Sequence, residues 1–155
     1  LCGAAREDEL VARWSEAAGV PVVTAAKAVT AALQLLGARR IGLASPYPAS
    51  LNTASEAYWT ERGFEVAAKA DAFRETSAFH PIYSLGGEAA ASGAASLKAA
   101  NIDAILMLGT GMPTLRPLLD ANAAGGPPTL SCMAAMTFAA IAAVDRRDPG
   151  VEDLR

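Results

Sequence analysis

The segment IGLASPYPASLN, residues 41–52, decides how the chain can fold. Residues 41–44 form a short apolar run with the length and flanks of a buried parallel strand. The two prolines of the SPYP turn end this strand, because proline cannot donate to a strand ladder and keeps the preceding residue out of the helical region. A helix is predicted to follow, ending at Arg62 before Gly63. A strand, a polar turn and a helix in this order form the layout in which α/β proteins place their sites.

Two polar side chains of this segment are candidate binding groups. Tyr47 lies in the turn, where its phenol can donate a hydrogen bond to an anion. Asn52 lies one turn into the predicted helix and is expected to face the same space. From the local sequence alone, Tyr47 is better interpreted as a residue that caps the loop.

Strands and helices alternate along the rest of the chain. Helices are predicted over 6–18, 24–36, 88–100 and 133–144, with one more that admits Pro113 in its first turn; strands are predicted over 20–23, 64–68, 102–108 and 129–131. In the first helix, Leu10, Val11, Trp14, Ala17 and Ala18 share an apolar face. Residues 71–87 are polar and are predicted to form a long loop. The alternation predicts the α/β class with parallel sheets.

Composition excludes several classes of protein. The 155 residues are 52% hydrophobic and 19% charged, with a net charge of −3 and no basic cluster, which argues against a nucleic-acid partner. The most apolar stretch, 129–144, is shorter than the roughly 20 residues that a membrane span needs. The two cysteines form no CxxC motif, so free thiols in a reducing compartment are the simplest interpretation, and we expect a cytoplasmic protein without a secretory signal.

The chain also resembles itself at an offset of 107 residues. Residues 21–24 and their helix match 128–131 and the following helix, and the same offset places Cys2 on Gly109. Two lobes of like fold would then present strand-end turns to one another across a cleft. The interpretation assigns residues 1–25 and 133–155 to an incomplete first lobe and 26–132 to the second. It also predicts that two strands of the first lobe precede Leu1.

The motif SPYPxxLN, residues 45–52 after a GARRIGL lead-in, resembles the aspartate/glutamate racemase superfamily. Within it, the match is to the branch of maleate cis-trans isomerases and arylmalonate decarboxylases, and it extends from about Val20 to Val144. The resemblance implies two pseudo-symmetric Rossmann-like lobes and a cofactor-independent enzyme acting on a small dicarboxylic or α-substituted carboxylic acid. It also implies that Tyr47 helps hold a substrate carboxylate or enediolate. A homo-oligomer is compatible with it, although no residue identifies an interface.

The resemblance further implies a set of site residues. Family enzymes use thiols at strand ends, activated by backbone amides and a helix N-terminus, and amides of the strand-end turns stabilise the oxyanion. On this sequence the catalytic residue would be Cys2, as proton donor or nucleophile; the substrate-binding residues would be Gly3, Ala4, Tyr47, Asn52, Gly109, Thr110 and Gly111. The chain departs from the family at Gly109, where a second cysteine is usual, and a single thiol cannot perform two-base racemisation.

Alternatives therefore stay open. The chain could be a non-catalytic carboxylate-binding or assembly module, or this portion could have no activity at all. Cys2 could be a buried structural thiol, and Cys132 is interpreted first as a packing residue. His80, in the predicted loop, is interpreted as a surface residue. Residues 109–111 lack the third glycine of a dinucleotide fingerprint, and no metal site is predicted.

Overall fold

The protein is described by a computed structural model that covers residues 2–71, 81–148 and 150–154. Among these residues, parallel strands form one sheet in the order β2-β1-β3-β4. The strands are β1 (Arg40–Ser45), β2 (Glu65–Asp71), β3 (Ala104–Met107) and β4 (Thr129–Ser131). The prediction of an α/β protein with a parallel sheet is confirmed.

The helices of the described residues follow the predicted pattern closely. They are α1 (Ala4–Ala18), α2 (Ala25–Leu35), α3 (Ala49–Glu61), α4 (Gly87–Leu97), α5 (Leu115–Ala123) and α6 (Cys132–Asp145), with short 3₁₀ turns at Pro81–Ser84 and Val151–Leu154. The helix predicted to include Pro113 begins two residues later, after Thr114. Of the predicted loop 71–87, residues 72–80 lie outside the described residues, and His80 with them. None of the helices described is long and apolar enough to cross a bilayer.

Local signals explain where the helices begin and end. The hydroxyl of Thr24 accepts a hydrogen bond from the amide of Lys27 at 3.2 Å and caps α2, as the sequence predicts. Gly63 follows α3 with φ +90°, a conformation that glycine adopts without steric cost. The strand–turn–helix of residues 41–62 is therefore set by its own sequence.

Apolar side chains pack on both faces of the sheet. Successive residues of β3 alternate, so that Leu106 joins one core and Ile105 and Met107 join the other. The first core holds α2, α3 and α6 through residues that include Val29, Leu33, Tyr58, Trp59, Leu130 and Ala135. The second holds α4 and α5 through residues that include Ala90, Ala94, Leu97, Leu118 and Ala121. Helices on both faces make the sheet doubly wound.

The predicted strand over residues 20–23 is wrong. These residues have no strand partner in the described structure, and Val20 and Val23 are 58% and 49% exposed. The amide of Val22 instead donates to the hydroxyl of Ser15 at 3.0 Å, which ties the segment to α1. An apolar run forms a strand only where a neighbouring strand supplies backbone partners, and local sequence does not report that neighbour.

Helix α1 is attached largely through polar groups, because only Val11 of its predicted apolar face is buried. Trp14 is 49% exposed, whereas Glu7 is buried. The Glu7 carboxylate accepts hydrogen bonds from the hydroxyls of Thr24 and Tyr58 and from the Arg62 guanidinium, the last at 2.6 Å. Burial opposes ionisation of Glu7, but these hydrogen bonds outweigh it and lower its pKa below the usual value. One carboxylate thus joins α1, α2 and α3.

Candidate functional site

The candidate site lies where the connections of the sheet change direction. The chain passes from β1 outward to β2 and then returns across β1 to β3, so β1 and β3 are neighbours whose following segments diverge. Open α/β sheets bind ligands at such a switch point, outside the carboxyl ends of the strands. The turn that contains Tyr47 follows β1, and the turn 109–111 follows β3. The topology therefore brings these two turns together.

Asn52 fixes the conformation of the turn after β1. Its side-chain amide donates to the carbonyl of Tyr47 at 3.0 Å, and its oxygen accepts a hydrogen bond from the hydroxyl of Ser45. The Ser45 hydroxyl also accepts from the amide of Tyr47 at 3.3 Å. The sequence suggested that Asn52 faces the ligand space, but the structure places it in a polar hollow beside Glu56 and Lys69. Asn52 thus positions Tyr47.

The turn after β3 is packed too closely for side chains at two positions. Gly109 has φ +88°, and a Cβ there would lie 2.6 Å from Ile82 Cδ1 and 2.8 Å from Pro46 Cγ. A Cβ on Gly111 would lie 2.6 Å from an atom of the Tyr83 ring. Thr110, between them, is exposed and carries the hydroxyl of the turn. Glycine is therefore favoured at 109 by its positive φ and by Pro46, and at 111 by the nearby ring of Tyr83.

Cys132 completes this edge of the sheet as the first residue of α6, directly after Ser131, whose hydroxyl caps that helix. Its side chain is 7% exposed. Burial raises the pKa of the Cys132 thiol, and the backbone amides of Gly109 and of Cys132 itself offset this rise only in part. The thiol therefore keeps its proton at neutral pH.

A cavity of about 370 Å³ joins these features. Its walls are formed by Ala25, Ala26, Tyr47, Leu51, Ser55, Tyr58, Trp59, Leu108, Thr110 and Cys132. Most of these side chains are apolar, and the hydroxyls of Tyr47 and Thr110 and the thiol of Cys132 are polar groups at one end of the strands. Burial raises the pKa of Tyr47, and electrostatic repulsion from Cys132, when that thiol is ionised, raises it further. The Tyr47 hydroxyl therefore keeps its proton and stays a hydrogen-bond donor. A mainly apolar cavity with a few polar groups is typical of a small-molecule site.

A larger hollow of about 600 Å³ lies between α5 and α6. Its wall includes the exposed apolar side chains of Leu115, Met133 and Ile141. It lacks the turn after β1 and the turn after β3, so it lies apart from the switch point. The smaller cavity is the candidate site.

Besides Asn52, three of the predicted site residues lie away from the cavity. The amide of Ala4 donates to the carboxylate of Glu61 at 2.7 Å, and Gly3 lies against the same carboxylate. Glu61 ends α3, about 18 Å from its first residue at the usual 1.5 Å rise. Cys2 is exposed and does not line the cavity. The structure thus brings Tyr47, Thr110 and the backbone of 109–111 together, and it places Cys2, Gly3 and Ala4 at the opposite end of α3.

The cavity also contains residues that the sequence analysis did not assign to a site. Cys132 was interpreted as a packing residue, although its place after the last strand was a signal that it lies at the sheet edge. Tyr58 and Trp59 belong to the apolar face of α3 and are nine-tenths or more buried. In the described part of the chain, no group of three His, Cys, Asp or Glu side chains comes together to hold a metal.

The fold and the cavity define a Rossmann-like α/β protein with a candidate small-molecule site at the switch point of its sheet. The arylmalonate decarboxylase family model matches residues 1–153, nearly the whole sequence, so the chain belongs to this family. The resemblance inferred from the SPYPxxLN motif is thereby confirmed. No curated protein sequence gives a significant match.

Solved structures support the same relationship. A crystal structure of arylmalonate decarboxylase superposes with a TM-score of 0.80 at 24% identity, over 91% of this chain and 62% of that one. The maleate cis-trans isomerase of Nocardia farcinica gives 0.79 at 25% identity, over 97% of this chain and 63% of that one. The maleate isomerase of Pseudomonas putida S16 gives 0.73 at 24%, over 84% and 52%. The chain therefore spans less than two thirds of the length of these relatives.

Proposed function

We propose that the protein binds a small carboxylic acid with an apolar substituent in the 370 Å³ cavity and promotes proton transfer at its α-carbon without a cofactor. The observation that carries this proposal is the cavity itself, in which a tyrosine, a threonine and a thiol lie beside the apolar walls of Leu51 and Trp59. Membership of the arylmalonate decarboxylase family supports it.

The cavity offers a separate environment to each end of such an acid. The hydroxyls of Tyr47 and Thr110 can donate to the carboxylate, and hydrogen bonds to a charged group are roughly twice as strong as neutral ones. Their stabilisation increases as negative charge moves onto the carboxylate oxygens to form an enediolate. The apolar walls can hold an aryl or alkyl substituent out of water.

The structural relatives are named for small carboxylic acids. One is named an arylmalonate decarboxylase, and a variant of the Nocardia farcinica maleate isomerase carries a covalently bound succinylcysteine intermediate. Because this chain spans only about three fifths of their length, both the activity and the substrate are part of our proposal. The predicted catalytic role of Cys2 stays a prediction.

A second candidate function is carboxylate binding without turnover. Two observations favour it: Gly109 occupies the position at which the family resemblance places a thiol, and Cys2 lies outside the cavity. In this case the cavity would hold the acid and no proton would be exchanged at the α-carbon.

Tryptophan fluorescence can test binding directly. Trp59 lines the cavity and is 3% exposed, whereas Trp14, the other tryptophan, lies on the surface. In a Trp14→Phe background, titration with phenylmalonate should give a saturable change in Trp59 emission. Adding Tyr47→Phe should weaken binding about tenfold or more, because a hydrogen bond to a charged group contributes about 1.5–3 kcal/mol.

Two controls separate carboxylate recognition from other effects. Ser92→Ala removes an exposed hydroxyl on α4, which packs on the other face of the sheet, and should leave the affinity unchanged. Dimethyl phenylmalonate keeps the aryl group but carries no charge, so it should bind much more weakly. Equal binding of the diester and the diacid, or no saturable signal with any acid, would contradict the proposal.

A further inference from the structure

We infer that Cys132 donates the proton to the α-carbon of the bound acid. It would thereby replace the cysteine that the family usually carries at the position of Gly109. The inference rests on the proposed function, since it assigns a residue to the proton transfer proposed for the same cavity. It depends on the packing around Gly109, on the position of the Cys132 sulfur and on the shape of the cavity.

The packing at residue 109 excludes any side chain. A Cβ would meet Pro46 Cγ at 2.8 Å and Ile82 Cδ1 at 2.6 Å, and the backbone has a positive φ that disfavours residues with a Cβ. The pyrrolidine ring of Pro46 cannot rotate away as a flexible side chain would. A thiol that serves this edge of the sheet must therefore come from another position.

Cys132 supplies a thiol next to the same backbone. Cys132 lines the cavity together with Leu108 and Thr110, the residues on either side of Gly109, so the thiol lies beside the turn after β3. Cys132 also forms part of the cavity wall together with Tyr47 and Thr110, the two side chains proposed to hold the carboxylate. Cys132 is only 7% exposed to solvent, but it borders the space that the ligand would fill.

The protonation state suits an acid rather than a nucleophile. Burial raises the pKa of the thiol, whereas addition to a double bond would require the thiolate. In the proposed step, the bond between the α-carbon and one carboxylate breaks, carbon dioxide leaves and the electron pair enters the enediolate. The S–H bond then breaks, its proton forms the new C–H bond, and the sulfur keeps the electron pair as a thiolate. A proton from water restores the thiol.

Replacement of one atom tests this role. Cys132→Ser keeps the size of the side chain but offers a much weaker acid. With phenylmalonate as the probe, phenylacetate formation and deuterium incorporation from D₂O at its α-carbon are followed by NMR. We expect the variant to lose about 100-fold or more in both rates, the range for a general acid. Phenylmalonate affinity, measured by Trp59 fluorescence, should change less than about threefold because Tyr47 is intact.

The second cysteine provides an internal control. Cys2 is exposed and lies outside the cavity, so the two thiols of one chain can be compared under the same conditions. Alkylation by iodoacetamide, mapped by mass spectrometry, should become slower at Cys132 in the presence of saturating phenylacetate and should stay unchanged at Cys2. Circular dichroism establishes that the serine variant is folded before its rates are compared.

The outcomes distinguish this inference from the proposed function. If the wild-type protein does not bind phenylmalonate, the proposed function fails and the inference fails with it. If it binds phenylmalonate but exchanges no proton, the proton transfer in the proposed function fails together with the inference, and carboxylate binding without turnover remains. If the protein exchanges protons and Cys132→Ser retains the wild-type rates, the inference alone is overturned. Protection of Cys2 instead of Cys132 by phenylacetate would also overturn it.

Discussion

The substitution Gly109→Ala should destabilise the protein more than alanine does at a glycine that has a positive φ but no close neighbours. Two effects act at residue 109. Its φ of +88° lies in the left-handed region, and an added Cβ would approach Pro46 Cγ to 2.8 Å and Ile82 Cδ1 to 2.6 Å. The first effect is backbone strain, and the second is overpacking in a buried turn.

The magnitudes of these effects can be separated. The left-handed conformation costs a residue with a Cβ about 1–2 kcal/mol. Insertion of a carbon into a closely packed site typically costs about 1–3 kcal/mol. Gly109→Ala is therefore expected to lower the free energy of unfolding by about 2–5 kcal/mol, a large part of the roughly 5–15 kcal/mol that stabilises an ordinary domain.

Gly63 provides a matched control. Its φ is +90°, close to that of Gly109, but no atom lies within 4 Å of an added Cβ. Gly63→Ala should therefore show the backbone cost alone, about 1–2 kcal/mol. The lower unfolded-state entropy of alanine is common to both variants and cancels in the comparison. The difference between the two isolates the overpacking.

Urea unfolding followed by circular dichroism measures this difference. With a slope of about 2 kcal/mol per molar urea, the midpoint of Gly109→Ala should lie about 0.5–1.5 M below that of Gly63→Ala. Adding Ile82→Val to Gly109→Ala removes the Cδ1 methyl and should recover part of the lost stability. The destabilisation that remains beyond that of Gly63→Ala is then due to Pro46. Equal midpoints for the two alanine variants would refute the claim that packing excludes a side chain at 109.

Two further predictions concern the junction of α1, α2 and α3. Because hydrogen bonds lower the pKa of Glu7 below its ordinary 4.5, its ionised form stabilises the fold above that pH, and this contribution is lost as the pH falls through the lower folded-state pKa. Glu7→Gln should therefore reduce the acid dependence of the urea midpoint between pH 7 and pH 3; an unchanged dependence would assign it to other carboxylates. Thr24→Ala should cost about 1–2 kcal/mol in urea unfolding, since the hydroxyl caps α2 at Lys27 and donates to Glu7. Thr24→Ser should retain most of this stability, and a loss as large as that of the alanine variant would argue against the cap.

The strand–turn–helix of residues 41–62 could be predicted because its signals are local. An apolar run, two prolines and a closing glycine each restrict the backbone within a few residues. The placement of Tyr47 beside the turn 109–111 could be inferred from the α/β class, since parallel strands present their carboxyl ends at one edge. These predictions needed no knowledge of which distant side chains meet.

The orientation of α1 depended on such distant contacts. Periodicity predicts a buried face that includes Val11 and Trp14, but the helix buries Glu7 beside Val11 and leaves Trp14 exposed. A buried carboxylate is tolerated only when donors satisfy it, and the donors here come from Tyr58 and from other residues remote in sequence. No pattern within residues 4–18 reports them.

The two cysteines show the same limit at the site. Repeat symmetry paired Cys2 with Gly109, but the docking of α1 places the Ala4 amide on Glu61, at the far end of α3 from Tyr47. Cys2 is two residues before Ala4 and therefore stays near this contact, where it is exposed and does not line the cavity. Cys132, by contrast, follows β4 immediately and must lie at the carboxyl edge of the sheet wherever α1 docks. The thiol whose position is set by the sheet is therefore the one that lines the cavity beside Tyr47.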